Sequence, residues 1–163
     1  MSTMDNLEEA FAGESQANRK YLAFAKKADS EGYAQVARLF RAAADAETVH
    51  AHAHLRVMKG VGKTADNLKE AVEGETHEFK SMYPRMMEEA KEEGKDDAYQ
   101  SFAYANTVEE IHAGLYKKAL ENLGENEKVD YYVCQYCGNT VEGDPPEKCP
   151  VCGAPRKMFK KID

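Results

Sequence analysis

Residues 47–50, Glu-Thr-Val-His, and residues 109–112, Glu-Glu-Ile-His, indicate the fold class of this chain. Each segment places a glutamate three residues before a histidine, within a run of residues that favour an α-helix. Residues at positions i and i+3 of a helix lie on the same face. Each segment therefore presents a carboxylate and an imidazole together, which is a donor set that metal ions accept.

Glycine-containing breaks divide the chain around these segments into helices. The breaks lie at residues 30–32, 59–63 and 93–94. They predict four helices, over residues 3–29, 32–59, 64–92 and 95–123. The short connections predict that neighbouring helices run antiparallel. Pro84 lies inside the third helix and is expected to kink it.

An internal repeat relates the two halves of this helical region. Residues 6–15 (Asn-Leu-Glu-Glu-Ala-Phe-Ala-Gly-Glu-Ser) match residues 67–76 (Asn-Leu-Lys-Glu-Ala-Val-Glu-Gly-Glu-Thr) at an offset of 61 residues. The repeat aligns Glu14 with Glu75, and the helix that follows each of them carries one Glu-x-x-His segment. The region is therefore interpreted as two related helix pairs.

Ionisable residues lie in the middle of the apolar stripe of every helix. The seven residues are Glu14, Glu47, His50, Glu75, Glu78, Glu109 and His112. Wrong phasing of the helices is one alternative, but it would leave Phe40 and Phe102 facing water. A buried salt-bridge network is another, but the stripes carry no lysine or arginine at this height. Buried carboxylates need a positive charge nearby, and two divalent metal ions would supply it.

The donor set also indicates which metal to expect. Carboxylate oxygens with one imidazole per metal favour iron or manganese over zinc. Glu78 exceeds the minimal ligand set, and we expect it to offer a hard oxygen ligand to a ferric ion in exchange with His50. Tyr21 and Tyr83 are weaker candidates, because hydrogen bonding to a ligand carboxylate and ordinary core packing are both open for them.

All four cysteines lie in the last 30 residues, as two Cys-x-x-Cys knuckles: Cys134 with Cys137, and Cys149 with Cys152. Paired knuckles hold four thiolates in tetrahedral geometry around iron or zinc. A zinc ribbon is an open alternative, and a redox-active neighbouring site favours iron. We expect a helical domain over residues 1–123, a linker over 124–130 and a four-cysteine domain over 131–163, in which the metal supplies much of the folding energy.

Charge and hydropathy exclude some classes of partner. The formal net charge is −7, which argues against binding to nucleic acid. We expect no membrane partner either, because no apolar run is long enough to cross a bilayer. The N-terminus lacks the basic start and apolar stretch of a signal peptide, so a cytoplasmic protein is expected.

Taken in order, these motifs resemble rubrerythrin over nearly the whole chain. The matching segments are residues 11–15, 47–50, 74–78, 82–84 and 109–112 and the two cysteine knuckles. The resemblance implies a mainly α protein: an antiparallel four-helix ferritin-like bundle, followed by a small rubredoxin-like β domain. It implies two iron ions in a di-iron centre, oxo- or hydroxo-bridged when oxidised, and one iron ion in the four-cysteine site.

The resemblance also assigns roles to the ligands. It implies that Glu47 and Glu109 bridge the two irons. Glu14 and the exchanging pair Glu78 and His50 would serve one iron, and Glu75 with His112 the other. These seven residues are the predicted catalytic set.

The implied activity is that of a non-haem peroxidase in oxidative-stress defence, which reduces hydrogen peroxide to water. Electrons would pass through the iron of the four-cysteine site from a rubredoxin or an NAD(P)H-dependent reductase. A homodimer is implied, with the four-cysteine site of one subunit near the di-iron site of the other. Two alternatives stay open: a ferroxidase or iron-handling protein, and a non-enzymatic metal-binding module with a zinc ribbon.

Overall fold

A computed structural model describes residues 2–163. The chain forms two compact units, Met1–Gly62 and Lys63–Asp163. Each unit contains one of the two helix pairs that the internal repeat predicts. Every predicted helix boundary lies within two residues of the observed one. No helix within residues 2–163 is long and apolar enough to cross a membrane.

The first unit is a hairpin of α1 (Thr3–Ser30) and α2 (Ala34–Val57). Ser2 starts α1 with a capping box: its hydroxyl accepts a hydrogen bond from the Asp5 backbone N–H at 3.1 Å, and the Asp5 carboxylate accepts one from the Ser2 N–H. Gly32 reverses the chain with φ of +85°, a conformation that a residue with a Cβ avoids.

Alanines line the seam of this hairpin. Ala37, Ala44 and Ala51 recur every seven residues along α2 and are all buried, as are Ala25 and Ala28 of α1. Seven residues are two helical turns, so the three α2 alanines lie on one face. Small side chains let two helices approach closely along this seam.

Asn18 is the polar residue buried in the first unit. Its amide nitrogen donates to the Ala44 carbonyl at 2.6 Å and to the Thr48 hydroxyl at 2.8 Å. The amide oxygen accepts a hydrogen bond from the Arg19 guanidinium at 2.8 Å. Asn18 therefore ties α1 to α2 with its hydrogen-bonding capacity satisfied.

The second unit begins with helices that pack along one long partner. α3 (Thr64–His77), a π-helical turn (Glu78–Met82) and α4 (Tyr83–Glu92) together correspond to the third predicted helix. All three pack against α5 (Asp96–Glu121).

The π-helical turn lies just before Pro84, where the sequence predicts a kink. Proline has no N–H to donate to a carbonyl four residues earlier. Just before it the helix widens, and the Tyr83 N–H donates to the Glu78 carbonyl five residues back. Single π-helical turns of this kind are frequent at functional sites, and this one begins at a predicted ligand.

Three short strands complete the second unit. β1 (Tyr131–Cys134), β2 (Thr140–Glu142) and β3 (Phe159–Ile162) form an antiparallel sheet in the order β2-β1-β3. A 3₁₀ turn over Arg156–Met158 leads into β3. The predicted fold class, mainly α with a small C-terminal β domain, is confirmed. The domain limits at residues 123 and 130 stay a prediction.

The β domain lies along α5 in a regular register. Three pairs of residues join them: Tyr104 with Tyr136, Val108 with Gly138, and His112 with Thr140. On α5 the three residues are four positions apart, which places them on one helix face. Their partners in the segment 136–140 are two positions apart. This register places Thr140 opposite His112.

Candidate metal centres

The first ligand group lies on α1 and α2 and consists of Glu14, Glu47 and His50. One potential ligand atom from each residue lies within 4.8 Å of the other two. His50 Nδ1 is 3.0 Å from Glu47 Oε2, as the i, i+3 spacing predicts. The Glu47 side chain is 18% exposed and that of His50 is 57% exposed, so the imidazole faces solvent more than its carboxylate partner.

The second group has the same composition and lies on α3 and α5. Glu75, Glu109 and His112 also bring three ligand atoms within 4.8 Å of one another. His112 Nδ1 is 2.8 Å from Glu109 Oε2 and 3.7 Å from Glu75 Oε1. Adjacent ligands around one octahedral ion are separated by about 3 Å when the metal–oxygen bonds are about 2.1 Å long. The separations therefore suit a single ion.

Electrostatics in the second group favour a bound cation. Burial of Glu75, together with a hydrogen bond to Glu109 and the charges of Glu109 and Glu78, raises the pKa of the Glu75 carboxyl to about 7. Within residues 2–163, no lysine or arginine forms an ion pair with Glu47, Glu75 or Glu109, and the ion-pair partner of each is the histidine of its own group. A metal ion would supply the missing positive charge.

Thr140 contacts the outer nitrogen of the His112 imidazole. Its hydroxyl lies 3.1 Å from the Gly138 carbonyl and 2.8 Å from His112 Nε2; when it donates to the carbonyl, it accepts a hydrogen bond from Nε2. With the proton on Nε2, Nδ1 presents its lone pair to the carboxylates of Glu75 and Glu109. A lone pair facing two carboxylate oxygens fits a cation among the three.

Glu78 and the two tyrosines lie outside the two groups. Glu78 is close enough to Glu109 for that charge, after burial, to raise the pKa of the Glu78 carboxyl. Burial, followed by the charges of Glu109, Glu78 and Glu75, raises the pKa of Tyr83, which places its hydroxyl near the second group. Tyr21 packs with Phe24 and Phe40 in an aromatic cluster of the first unit, at centroid distances of 6.3 and 6.1 Å.

The four cysteines converge as predicted and form no disulfide. Cys134 Sγ is 3.7 Å from Cys152 Sγ, and Cys137 Sγ is 3.6 Å from Cys149 Sγ. The edge of a tetrahedron with metal–sulfur bonds of about 2.3 Å is about 3.8 Å long, so the four sulfurs already have the size of a metal site.

Hydrogen bonds favour the thiolate at Cys149, whereas burial raises the pKa of the Cys137 and Cys152 thiols. Burial alone would also raise the pKa of Cys149, but hydrogen bonds from the backbone N–H groups of Cys152 and Val151 and with the Cys137 and Cys152 side chains lower it to about 7. The Asn139 side chain, which is 1% exposed, donates to Cys149 Sγ at 3.6 Å. Donors to a thiolate stabilise its negative charge and tune a bound iron.

Sequence reasoning did not identify Thr140 and Asn139. Thr140 carries no local signal, because its partner His112 lies 28 residues away on another element. Asn139 follows the Cys-x-x-Cys-Gly segment directly, so its position next to a knuckle was the available signal.

Comparison with known proteins covers both parts of the chain. The family model described as Rubrerythrin matches residues 5–120, and the one described as Rubrerythrin, rubredoxin-like domain, matches residues 132–160. Rubrerythrin-2 of Clostridium acetobutylicum is 35% identical, over 97% of this chain and 95% of the relative. Nigerythrin of Nitratidesulfovibrio vulgaris is 34% identical, over 97% of this chain and 85% of the relative.

Solved structures give the same likeness. Nigerythrin in its mixed-valence state matches with a TM-score of 0.59 and 35% identity, over 99% of this chain and 87% of that chain. The fully reduced, all-ferrous state of nigerythrin matches with the same values.

Proposed function

The chain belongs to the rubrerythrin family, and from that membership we propose that it is a non-haem peroxidase that reduces hydrogen peroxide to water in oxidative-stress defence. Its cofactors are the iron pair and the cysteine-bound iron of that family. One observation carries the proposal: two Glu–Glu–His groups occur in one chain with a four-cysteine site whose knuckle contacts α5 beside His112.

We assign one iron of the pair to each ligand group. Glu14, Glu47 and His50 would hold one ion, and Glu75, Glu109 and His112 the other. When bound, the iron pair supplies one electron from each ferrous ion, and these two electrons with two protons convert one hydrogen peroxide to two water molecules. Glu78 remains a proposed additional ligand that exchanges with His50 on oxidation.

The other residues near the second group position the ligands. The Tyr83 hydroxyl keeps its proton at neutral pH, because burial and the nearby carboxylates raise its pKa. It can therefore donate a hydrogen bond to a ligand carboxylate. The Thr140 hydroxyl orients the imidazole of His112 through its contact with Nε2.

The four cysteines would hold the iron through which electrons return one at a time. Asn139 and the backbone donors at Cys149 stabilise the negative charge of this site. We propose a rubredoxin or an NAD(P)H-dependent reductase as the electron donor, and a cytoplasmic homodimer as the working form.

Stopped-flow spectroscopy on two metal-loaded forms tests this proposal. In the first form all sites hold iron, and in the second zinc, which does not change oxidation state, occupies the four-cysteine site. We expect hydrogen peroxide to oxidise the ferrous pair once in both forms, with one peroxide consumed per iron pair. Steady-state turnover with a reductase should persist in the first form and collapse in the second.

Each part of the proposal has its own contradicting result. A ferrous pair that dioxygen oxidises faster than peroxide would argue for a ferroxidase. Unchanged turnover with zinc in the four-cysteine site would contradict the relay and leave the peroxidase assignment standing.

A further inference from the structure

We propose that occupation of the four-cysteine site strengthens metal binding at the group formed by Glu75, Glu109 and His112, and that Thr140 is the positioning residue that couples the two sites. The inference rests on the metal assignment of the proposed function and not on its peroxide chemistry. The contacts that carry it all lie within the second unit.

The hydroxyl of Thr140 lies 3.1 Å from the Gly138 carbonyl and 2.8 Å from His112 Nε2. It has a single proton, and when that proton goes to the carbonyl, the hydroxyl accepts a hydrogen bond from Nε2. This arrangement leaves the Nδ1 lone pair of the imidazole free to bind a metal.

This orientation matters because His112 Nδ1 is the atom nearest both carboxylates of the group, at 2.8 Å from Glu109 and 3.7 Å from Glu75. Loss of a partner that fixes the tautomer and the ring orientation of a ligating histidine typically lowers the metal affinity by roughly 10–100-fold. Without the Thr140 hydroxyl, the imidazole can rotate or shift its proton to Nδ1.

The first cysteine knuckle positions Thr140. The Gly138 N–H donates to the Cys134 carbonyl at 2.8 Å, and the Cys134 N–H donates to the Asn139 carbonyl at 2.9 Å. Thr140 follows this closed turn directly and pairs with Val133 in the sheet.

A domain as small as residues 131–163 has little apolar core, so a bound metal supplies much of its folding energy. Two of the four cysteines, Cys134 and Cys149, are buried. The sulfur of each lies at metal-site spacing from the sulfur of a cysteine in the other knuckle. Emptying the site therefore loosens the knuckle, and Thr140 is withdrawn from His112. The link must also work in reverse: a metal at the His112 group raises the affinity of the four-cysteine site by the same factor.

Manganese titrations of the full chain test the coupling. Mn²⁺ suits carboxylate and imidazole ligands better than thiolates, so electron paramagnetic resonance can follow its binding with the four-cysteine site empty or filled by one equivalent of Zn²⁺. For the wild type, we expect zinc to strengthen one of the two Mn²⁺ sites by roughly 10–100-fold.

Substitutions at Thr140 separate the hydroxyl from its methyl group. Thr140→Val keeps the shape, and we expect it to lose the zinc-dependent strengthening, whereas Thr140→Ser keeps the hydroxyl and should retain it. Thr107→Val is the matched control on α5, because the exposed Thr107 bonds the Ala103 carbonyl within its own helix. The control should bind Mn²⁺ as the wild type does.

A second measurement uses the wild type without a metal at the His112 group. In ¹⁵N spectra of the imidazoles, the His112 tautomer populations should shift toward protonation at Nε2 when zinc is added to the four-cysteine site. The His112→Gln spectrum assigns the signal.

The coupling is overturned if zinc leaves Mn²⁺ affinity unchanged in the wild type. The role of the hydroxyl is overturned if Thr140→Ser weakens binding as much as Thr140→Val, or if zinc does not change the His112 tautomer. A protein that shows the coupling and fails to reduce peroxide would refute the proposed peroxidase activity alone.

Discussion

Replacing Glu75 with glutamine should make the metal-free protein more stable than the wild type at alkaline pH and leave it nearly unchanged near pH 4.5. Burial and the neighbouring Glu109 and Glu78 raise the pKa of Glu75 from 4.5 to about 7 in the folded protein. Because the folded-state pKa is raised, the folded state keeps a proton that the unfolded state has lost between these values. The free energy of unfolding therefore falls as pH rises from 4.5 to 7, and is flat above.

The size of the effect follows from the shift. A difference of one pKa unit corresponds to about 1.4 kcal/mol, so a rise from 4.5 to about 7 is worth up to about 3 kcal/mol. The Glu75 side chain is 19% exposed, which leaves it weakly screened by solvent. Glutamine does not ionise, so residue 75 of the variant should make no contribution to the fall in the free energy of unfolding between pH 4.5 and 7.

Urea unfolding followed by far-ultraviolet circular dichroism, with a chelator present, measures the effect between pH 4.5 and 8.5. The matched control is Glu110→Gln, at an exposed position of α5. Its stability should change with pH in parallel with that of the wild type, while the Glu75→Gln curve rises above both. Parallel curves for all three proteins would refute the reasoning, as would a Glu75 carboxyl that titrates near pH 4.5 in ¹³C spectra.

Three further substitutions test other parts of the structure. Asn139→Ala removes the donor to Cys149 Sγ, so electrochemistry should show a lower reduction potential for the iron of the four-cysteine site; an unchanged potential would contradict this role. Asn18→Ala removes the hydrogen bonds from a buried amide to Ala44 and Thr48 of α2, so urea unfolding should show a loss of about 1–3 kcal/mol; an unchanged free energy of unfolding would contradict this role. Lys118→Met breaks a half-exposed ion pair with Glu142 and should change the urea unfolding midpoint no more than Lys117→Met does, because solvent screens such a pair; a much larger loss would contradict this.

Much of the candidate site could be predicted because its geometry is local. The Glu-x-x-His spacing brings His50 to 3.0 Å from Glu47 and His112 to 2.8 Å from Glu109, as any regular helix would. The internal repeat predicted that the first glutamate of each helix pair joins its Glu-x-x-His segment, and Glu14 does so.

Glu78 shows where local geometry stops being sufficient. The spacing from Glu75 turns Glu78 inward, and the resemblance assigns it to the iron of Glu14 and His50, whereas Glu75 is assigned to the iron of His112. The helix is α-helical up to His77, and a π-helical turn begins at Glu78. Glu75 joins the group of His112, whereas Glu78 lies outside it. Its role as a ligand therefore stays a proposal.

The types of ligand and their spacing could be read from the amino-acid sequence: glutamate with histidine on helices, and cysteines in paired knuckles. In both motifs the two ligands are three residues apart in one segment, so the local backbone geometry is enough to bring them together. The raised pKa of Glu75 and the contact between His112 and Thr140 required the packed structure. Both depend on residues far apart in the chain, such as Thr140 and Glu109, whose proximity arises only when α3, α5 and the β domain pack together.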